Sequence, residues 1–158
     1  MEGPTRGGLW NKVAVVTGGG SGVGRAVAKA MARQGANIVV ADFDEPRMDR
    51  TVGEILKLGT SESAIALSTD VRSDSSVRSL ARDSIKAMGH VDILVNAAGV
   101  LLQGKLELIS SKDWSWMLET NRSVPCGPAT RSFRTCPSAA RATSSTRFHT
   151  AASFRPTR

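Results

Sequence analysis

A chain of 158 residues is long enough for one domain with a buried core. Its net charge of +7 and pI near 10.3 invite a nucleic-acid or membrane partner, but the charge is unevenly placed. Residues 1–121 hold 14 Lys and Arg and all 14 acids, so the excess is the seven Arg of residues 122–158, a pattern of a solvated tail rather than a binding face. No apolar run is long enough to span a bilayer, and the leader of residues 1–10 lacks the apolar stretch of a signal peptide. Both cysteines, Cys126 and Cys136, fall in the tail without a metal-ligand cluster or a disulfide framework around them. The expectation is a soluble cytoplasmic protein with no specific nucleic-acid partner, no membrane partner and no metal.

In chain order, the run Val13 to Val16 predicts a buried strand, followed by a glycine cluster and a helix. Ala26, Val27, Ala30 and Met31 recur at helical spacing, and Gly35 sits where that helix should stop. The stretch "NIVVADF" predicts a second buried strand, giving a parallel βαβ unit. Asp44 and Pro46 open a helix that runs through Leu58 and closes at Gly59. The stretch "AIALSTDV" is strand-like. Asp74 can cap a helix with Val77, Leu80, Ala81, Ile85 and Met88 on one face, ending at Gly89. The stretch "VDILVNAAG" predicts a fourth strand. Ser110 and Asp113 begin a further helix with Trp114, Met117 and Leu118 facing inward. This alternation predicts an α/β fold, a Rossmann-like doubly wound parallel sheet in a three-layer αβα sandwich.

Two constellations carry chemistry. In "TGGGSGVG", Thr17 to Gly24, Gly18 permits a tight turn out of the strand, and Gly22 and Gly24 let backbone and helix approach a pyrophosphate. The helix opening near Gly22 would aim free N–H groups and its positive dipole end at that anion. A glycine pattern alone also fits a flexible turn; its place between a strand and a helix favours a dinucleotide. Asp42 ends the second strand, where an acid can accept hydrogen bonds from an adenosine ribose and repel a 2′-phosphate. Phe43 after it and Ser21 before Gly22, neither of them basic, agree with NAD rather than NADP. The bland alternative for Asp42 is a solvated strand-end acid. His90 and His149 have no partners for a hydrolytic triad.

These motifs resemble the classical short-chain dehydrogenase/reductase family, whose glycine motif is T-G-x-x-x-G-x-G; Thr17, Gly18, Gly22 and Gly24 match it. The resemblance places Ser21, Val23 and Phe43 at the cofactor with them, and sets Asp70 and Val71 of "TDV" against the adenine. The stretch "NAAG" resembles the family's N-N-A-G: Asn96, Ala98 and Gly99 match, and Ala97 replaces the second Asn. The stretch "DWSWMLETN" resembles the helix bearing a catalytic Asn, which puts that role on Asn121. The resemblance covers residues 11–121, the NAD-binding half, and implies hydride transfer between a secondary alcohol or ketone and nicotinamide, with a small-molecule substrate and assembly as a homodimer or homotetramer. It also implies a Tyr with a Lys four residues later, yet the chain has no Tyr and its last Lys is Lys112. An incomplete sheet is therefore expected, with the fourth strand as an exposed apolar edge and the chain inactive as it stands. The alternative is a non-catalytic NAD-binding or regulatory module.

Residues 122–158 contain no Leu, Ile, Met, Lys or acid, a composition that reads as a disordered tail and binds polyanions at most nonspecifically. A shifted codon frame is one explanation. Read so, Arg141 onward permits G-H-I-V-N-T-V-S, and Ser132 to Thr135 permits two aliphatics, Pro and His, both resembling the family's continuation. The hypothesis is a frameshift at or just after Asn121; coding DNA whose shifted frame does not reach a Tyr-x-x-x-Lys would refute it.

Overall fold

The computed structural model describes residues 8–61 and 63–126. The reading of residues 127–158 as a basic tail lies outside them. Four parallel strands form one sheet in the order β3-β2-β1-β4: β1 is Val13–Thr17, β2 Asn37–Asp42, β3 Ala64–Ser68 and β4 Ile93–Asn96. Between them run α1 (Gly22–Arg33), α2 (Glu45–Leu56) and α3 (Asp74–Met88), and α4 (Ser111–Cys126) follows a single 3-10 turn at Leu106–Leu108. The expected Rossmann-like doubly wound sheet is present.

Each strand is apolar on both faces because each face has a helical cover. Ala14, Val16, Ile38 and Val40 pack with Ala28, Ala32, Met48 and Ile55 of α1 and α2. Val13, Val15, Val39 and Ala41 pack on the other face with Val77, Leu80 and Ala81 of α3. All five β1 positions are buried, as a central strand of a parallel sheet requires.

The buried face of α1 is not the predicted one. Gly24, Ala28 and Ala32 lie deepest, Val27 and Met31 flank the core, and Ala26 and Ala30 are exposed. Small residues spaced by four let α1 sit close to β1, and that proximity, rather than side-chain bulk, sets its rotation. Helix α2 is capped by the Asp44 carboxylate, which accepts from the Arg47 N–H at 3.1 Å, and carries its proline in the first turn. Helix α3 is capped by Ser73, not Asp74: the Ser76 N–H bonds to the Ser73 hydroxyl at 3.3 Å, and Asp74 takes the first helical position, where its charge suits the dipole. Gly89 closes α3 with φ of 80°.

Two boundaries differ from expectation. Leu9 packs against the core, its N–H bonds to the Gln34 carbonyl at 3.2 Å, and Trp10 lies over Gly35, so residues assigned to the leader belong to the domain. Helix α4 continues past Asn121 to Cys126. Its predicted inward face is open: Trp114 is 37% exposed and Leu118 58%, because no described element covers them. Strand β4 has β1 on one side and no strand on its other side among the described residues, as expected of an edge. No described helix is long and apolar enough to cross a membrane.

Candidate dinucleotide site

The chain crosses outward through β1, β2 and β3, then returns by α3 to β4 on the far side of β1. The carboxyl ends of β1 and β4 thus flank a topological switch point, where open α/β sheets hold their ligands. The glycine loop leaves β1 there, and the "NAAG" segment leaves β4 beside it.

These two segments touch. Gly18 adopts φ of 67°, and a Cβ on it would lie 2.7 Å from both N and Cα of Ala98. Glycine is required twice over, by backbone conformation and by space. A Cβ on Gly24 would lie 2.2 Å from the Gly18 carbonyl oxygen, so α1 can start this close to β1 only without one. Thr17 stitches the same junction: its hydroxyl accepts from the Ala98 N–H at 3.4 Å and reaches the Val95 carbonyl at 3.5 Å, while its carbonyl accepts from the Ala97 N–H at 3.2 Å. The departure at Ala97 has a physical account, since its side chain is buried in the apolar cluster under α1, where an amide would need partners.

The amino end of α1 differs from those of α2 and α3. They are capped by side chains and carry an acid in the first turn; Ser21 makes no capping bond and α1 has no acid there. The N–H groups of Gly22, Val23 and Gly24 therefore have no acceptor within the helix, no side-chain cap from Ser21 and no acid in their own turn. Gly22 holds φ of 51° at this turn.

Asp42 closes the loop from the other side. Its Oδ2 accepts from the Gly20 N–H at 3.0 Å, and its Oδ1 from the N–H groups of Phe43 at 2.8 Å and Asp44 at 3.3 Å. A carboxylate offers about four acceptor positions, so one remains for a hydroxyl. Asp42 is thus more than a solvated strand-end acid. Its own N–H bonds to the Met48 thioether at 3.1 Å, and its carbonyl accepts from the Thr69 N–H at 2.7 Å, which brings the end of β3 alongside. Phe43 is 67% exposed next to it.

Asp70 and Val71 follow β3 at the same edge, but the Asp70 carboxylate is engaged. Arg72 donates to it from Nε at 2.9 Å, from a terminal nitrogen at 2.7 Å and from its backbone N–H at 2.9 Å. The Arg72 guanidinium holds the Asp70 carboxyl below the usual aspartate range, against the opposing effect of desolvation.

Asn121 reaches from α4 to the segment after β4. Its Oδ1 accepts from the Val100 N–H at 3.0 Å and its Nδ2 donates to the Val100 carbonyl at 2.9 Å. With both ends of the amide occupied, the side chain fixes the segment carrying Ala98 and Gly99. Asn96 contrasts with it: buried at 3% exposure, neither atom of its amide has a partner among the described residues.

The sequence patterns name most of this site but pass over Gly20, Met48 and Val100, which act through backbone groups or a thioether. The run of three glycines was the available signal for Gly20. The remaining arrangement suits an anion at α1 and a diol at Asp42, the two recognition elements of an adenine dinucleotide.

Residues 12–126 match the family described as short chain dehydrogenase. The chain is 33% identical over 114 residues to 2,3-dihydro-2,3-dihydroxybenzoate dehydrogenase of Bacillus subtilis (strain 168), covering 72% of this chain and 43% of that protein. A short-chain dehydrogenase/reductase of Burkholderia phymatum in complex with NAD is 38% identical with a TM-score of 0.74, over 83% of this chain and 45% of that one. A short-chain dehydrogenase of Burkholderia cenocepacia in complex with NADP is 34% identical with a TM-score of 0.71, over 81% and 51%. The chain spans less than half the length of the curated relatives it matches.

Proposed function

The chain belongs to the short-chain dehydrogenase family, and from that premise we propose that it is the NAD-binding half of an oxidoreductase. The observation that carries the proposal is the uncapped, acid-free start of α1, set against the Gly18–Ala98 contact, with Asp42 across the loop. In this reading the N–H groups of Gly22, Val23 and Gly24 hold the pyrophosphate, and Asp42 accepts from the adenosine ribose. Thr17, Asn96, Ala97, Ala98 and Gly99 form the floor under the cofactor, and Asn121 holds that floor in place. Ser21, Phe43, Asp70 and Val71 complete the rim, with the adenine between Phe43 and Val71. The carboxylate of Asp42 favours NAD over NADP by repulsion of a 2′-phosphate.

Bound nicotinamide would supply or accept the hydride exchanged with a secondary alcohol or ketone. The chain itself has no tyrosine to protonate or deprotonate the substrate oxygen, so we propose that it binds cofactor without turning over substrate alone. The same observation favours a second reading, a non-catalytic NAD-binding or regulatory module. A homodimer or homotetramer with a small-molecule substrate belongs to the intact oxidoreductase.

Equilibrium titration with NAD and NADP tests the reading. NAD should bind more tightly than NADP, and Asp42→Asn should weaken NAD about tenfold while narrowing the difference, on the scale of one charge-assisted hydrogen bond. A folded chain that binds neither dinucleotide refutes the site. Steady turnover of an alcohol by the chain alone refutes its catalytic silence.

A further inference from the structure

Asp42 is not the one charge at the ribose end of the loop. A Cβ on Gly20 would lie 2.9 Å from the Asp42 Oδ2 and 3.1 Å from the Cβ of Arg47. Gly20 therefore brings the carboxylate and the root of an arginine side chain to the same place. Helix α2 is pinned there: the Thr51 hydroxyl bonds to the Arg47 carbonyl at 3.0 Å and reaches the Gly20 carbonyl at 3.5 Å. Arginine is the side chain best suited to a phosphate, through its planar fork of donors. A guanidinium at this spot would favour the dinucleotide that Asp42 disfavours.

Arg47 is restrained, however. Its Nε pairs with the Asp44 Oδ2 at 3.0 Å, and its backbone N–H bonds to the other oxygen of the same carboxylate at 3.1 Å. Asp44 thus caps α2 and neutralises Arg47 at once. The Arg47 side chain is half-exposed, so the pair can open without unpacking the core.

We infer that Arg47 is a latent 2′-phosphate ligand and that Asp44 sets cofactor selectivity by holding it. The inference rests on the dinucleotide site proposed above. NAD preference then has two sources: Asp42 repels the extra phosphate, and Asp44 withholds the cation that would attract it. Releasing Arg47 should shift selectivity toward NADP with Asp42 still in place.

The test is equilibrium binding of NAD and NADP, read by calorimetry, to the full chain and its variants. Asp44→Asn keeps a competent cap but removes the charge. It should improve NADP affinity relative to NAD about fivefold, the scale of one partly exposed charge pair. Adding Arg47→Gln to Asp44→Asn should return the ratio to that of the parent. Asp44→Ser, which also preserves the cap, gives the same reading should Asp44→Asn fold poorly. A ratio that stays within twofold in both Asp44 variants overturns the inference and leaves the dinucleotide site standing. So does a shift that survives Arg47→Gln. A parent chain that binds neither dinucleotide overturns both.

Discussion

The two margins of the sheet are built to different degrees. On the β2–β3 side the contacts around the loop are numerous: the Asp42 carboxylate takes three N–H groups, the Gly19 N–H bonds to the Ala41 carbonyl, and Glu54 of α2 pairs with both Arg25 and Lys29 of α1. On the β4 side, Asn96 is buried with its amide unpaired among the described residues, and Leu108 and Leu118 are 69% and 58% exposed. The difference follows from neighbours. Strand β2, which carries Asp42, lies between β1 and β3 with helices on both faces, whereas β4 has β1 alone beside it among the described residues. The margin around Asp42 is closed by contacts within the described residues, while the β4–α4 margin leaves Leu108 and Leu118 open.

The largest effect should come from forcing the finished side open. Gly24→Ala puts a methyl against the Gly18 carbonyl and should cost about 3 kcal/mol in urea unfolding, with loss of NAD binding, because backbone cannot yield as a side chain can. An unchanged midpoint would show that α1 sits further from β1 than described. Next is Asn121→Ala, which strands the Val100 N–H and carbonyl and should cost about 2 kcal/mol. Amide exchange at Val100 should accelerate in step; slow exchange would mean that α4 is moored some other way.

A smaller effect concerns the opposite end of β4. Asp92 receives the Val13 N–H at 2.9 Å, Lys12 at 3.0 Å and His90 at 3.1 Å. Burial alone would raise its carboxyl, but Val13, Lys12 and His90 outweigh that and hold it below the ordinary aspartate range. A carboxyl depressed on folding adds stability above its unfolded pKa, near 4, and loses it as pH falls through the folded value. Stability should therefore drop at acid pH more steeply in the parent than in Asp92→Asn; parallel curves would remove Asp92 from the account. The smallest effect should be Leu118→Gln, within about 0.5 kcal/mol, since that side chain is open to solvent. A cost of several kcal/mol would reveal a covering element and erase the contrast between the margins.

The legible parts of the sequence were those fixed by local rules. Val13 to Val16 announce a strand buried on both faces, and Gly18, Gly22 and Gly24 are dictated by φ or by contact. What stayed hidden depends on distance in space. The face of α1 could not be chosen between the Ala26–Met31 stripe and the Gly24–Ala32 stripe without knowing how near β1 lies. The capping role of Ser73, one residue ahead of Asp74, turns on a single backbone angle. Trp114 and Leu118 have the pattern of a buried face, and periodicity cannot report whether anything covers it. The pair that Arg72 makes with the Asp70 carboxylate, two residues back, is likewise not announced by the stretch "TDV".

The contact of Gly18 with Ala98 has a consequence for how such chains vary. Nothing passes between the two positions except backbone, so no compensating side chain can be found by trial at either one. Enlarging Gly18 requires the main chain after β4 to retreat, and that main chain is tied to Thr17 by its own amide. Two motifs far apart in the sequence are thereby joined in space, and a change of size at Gly18 has to be met by the main chain after β4.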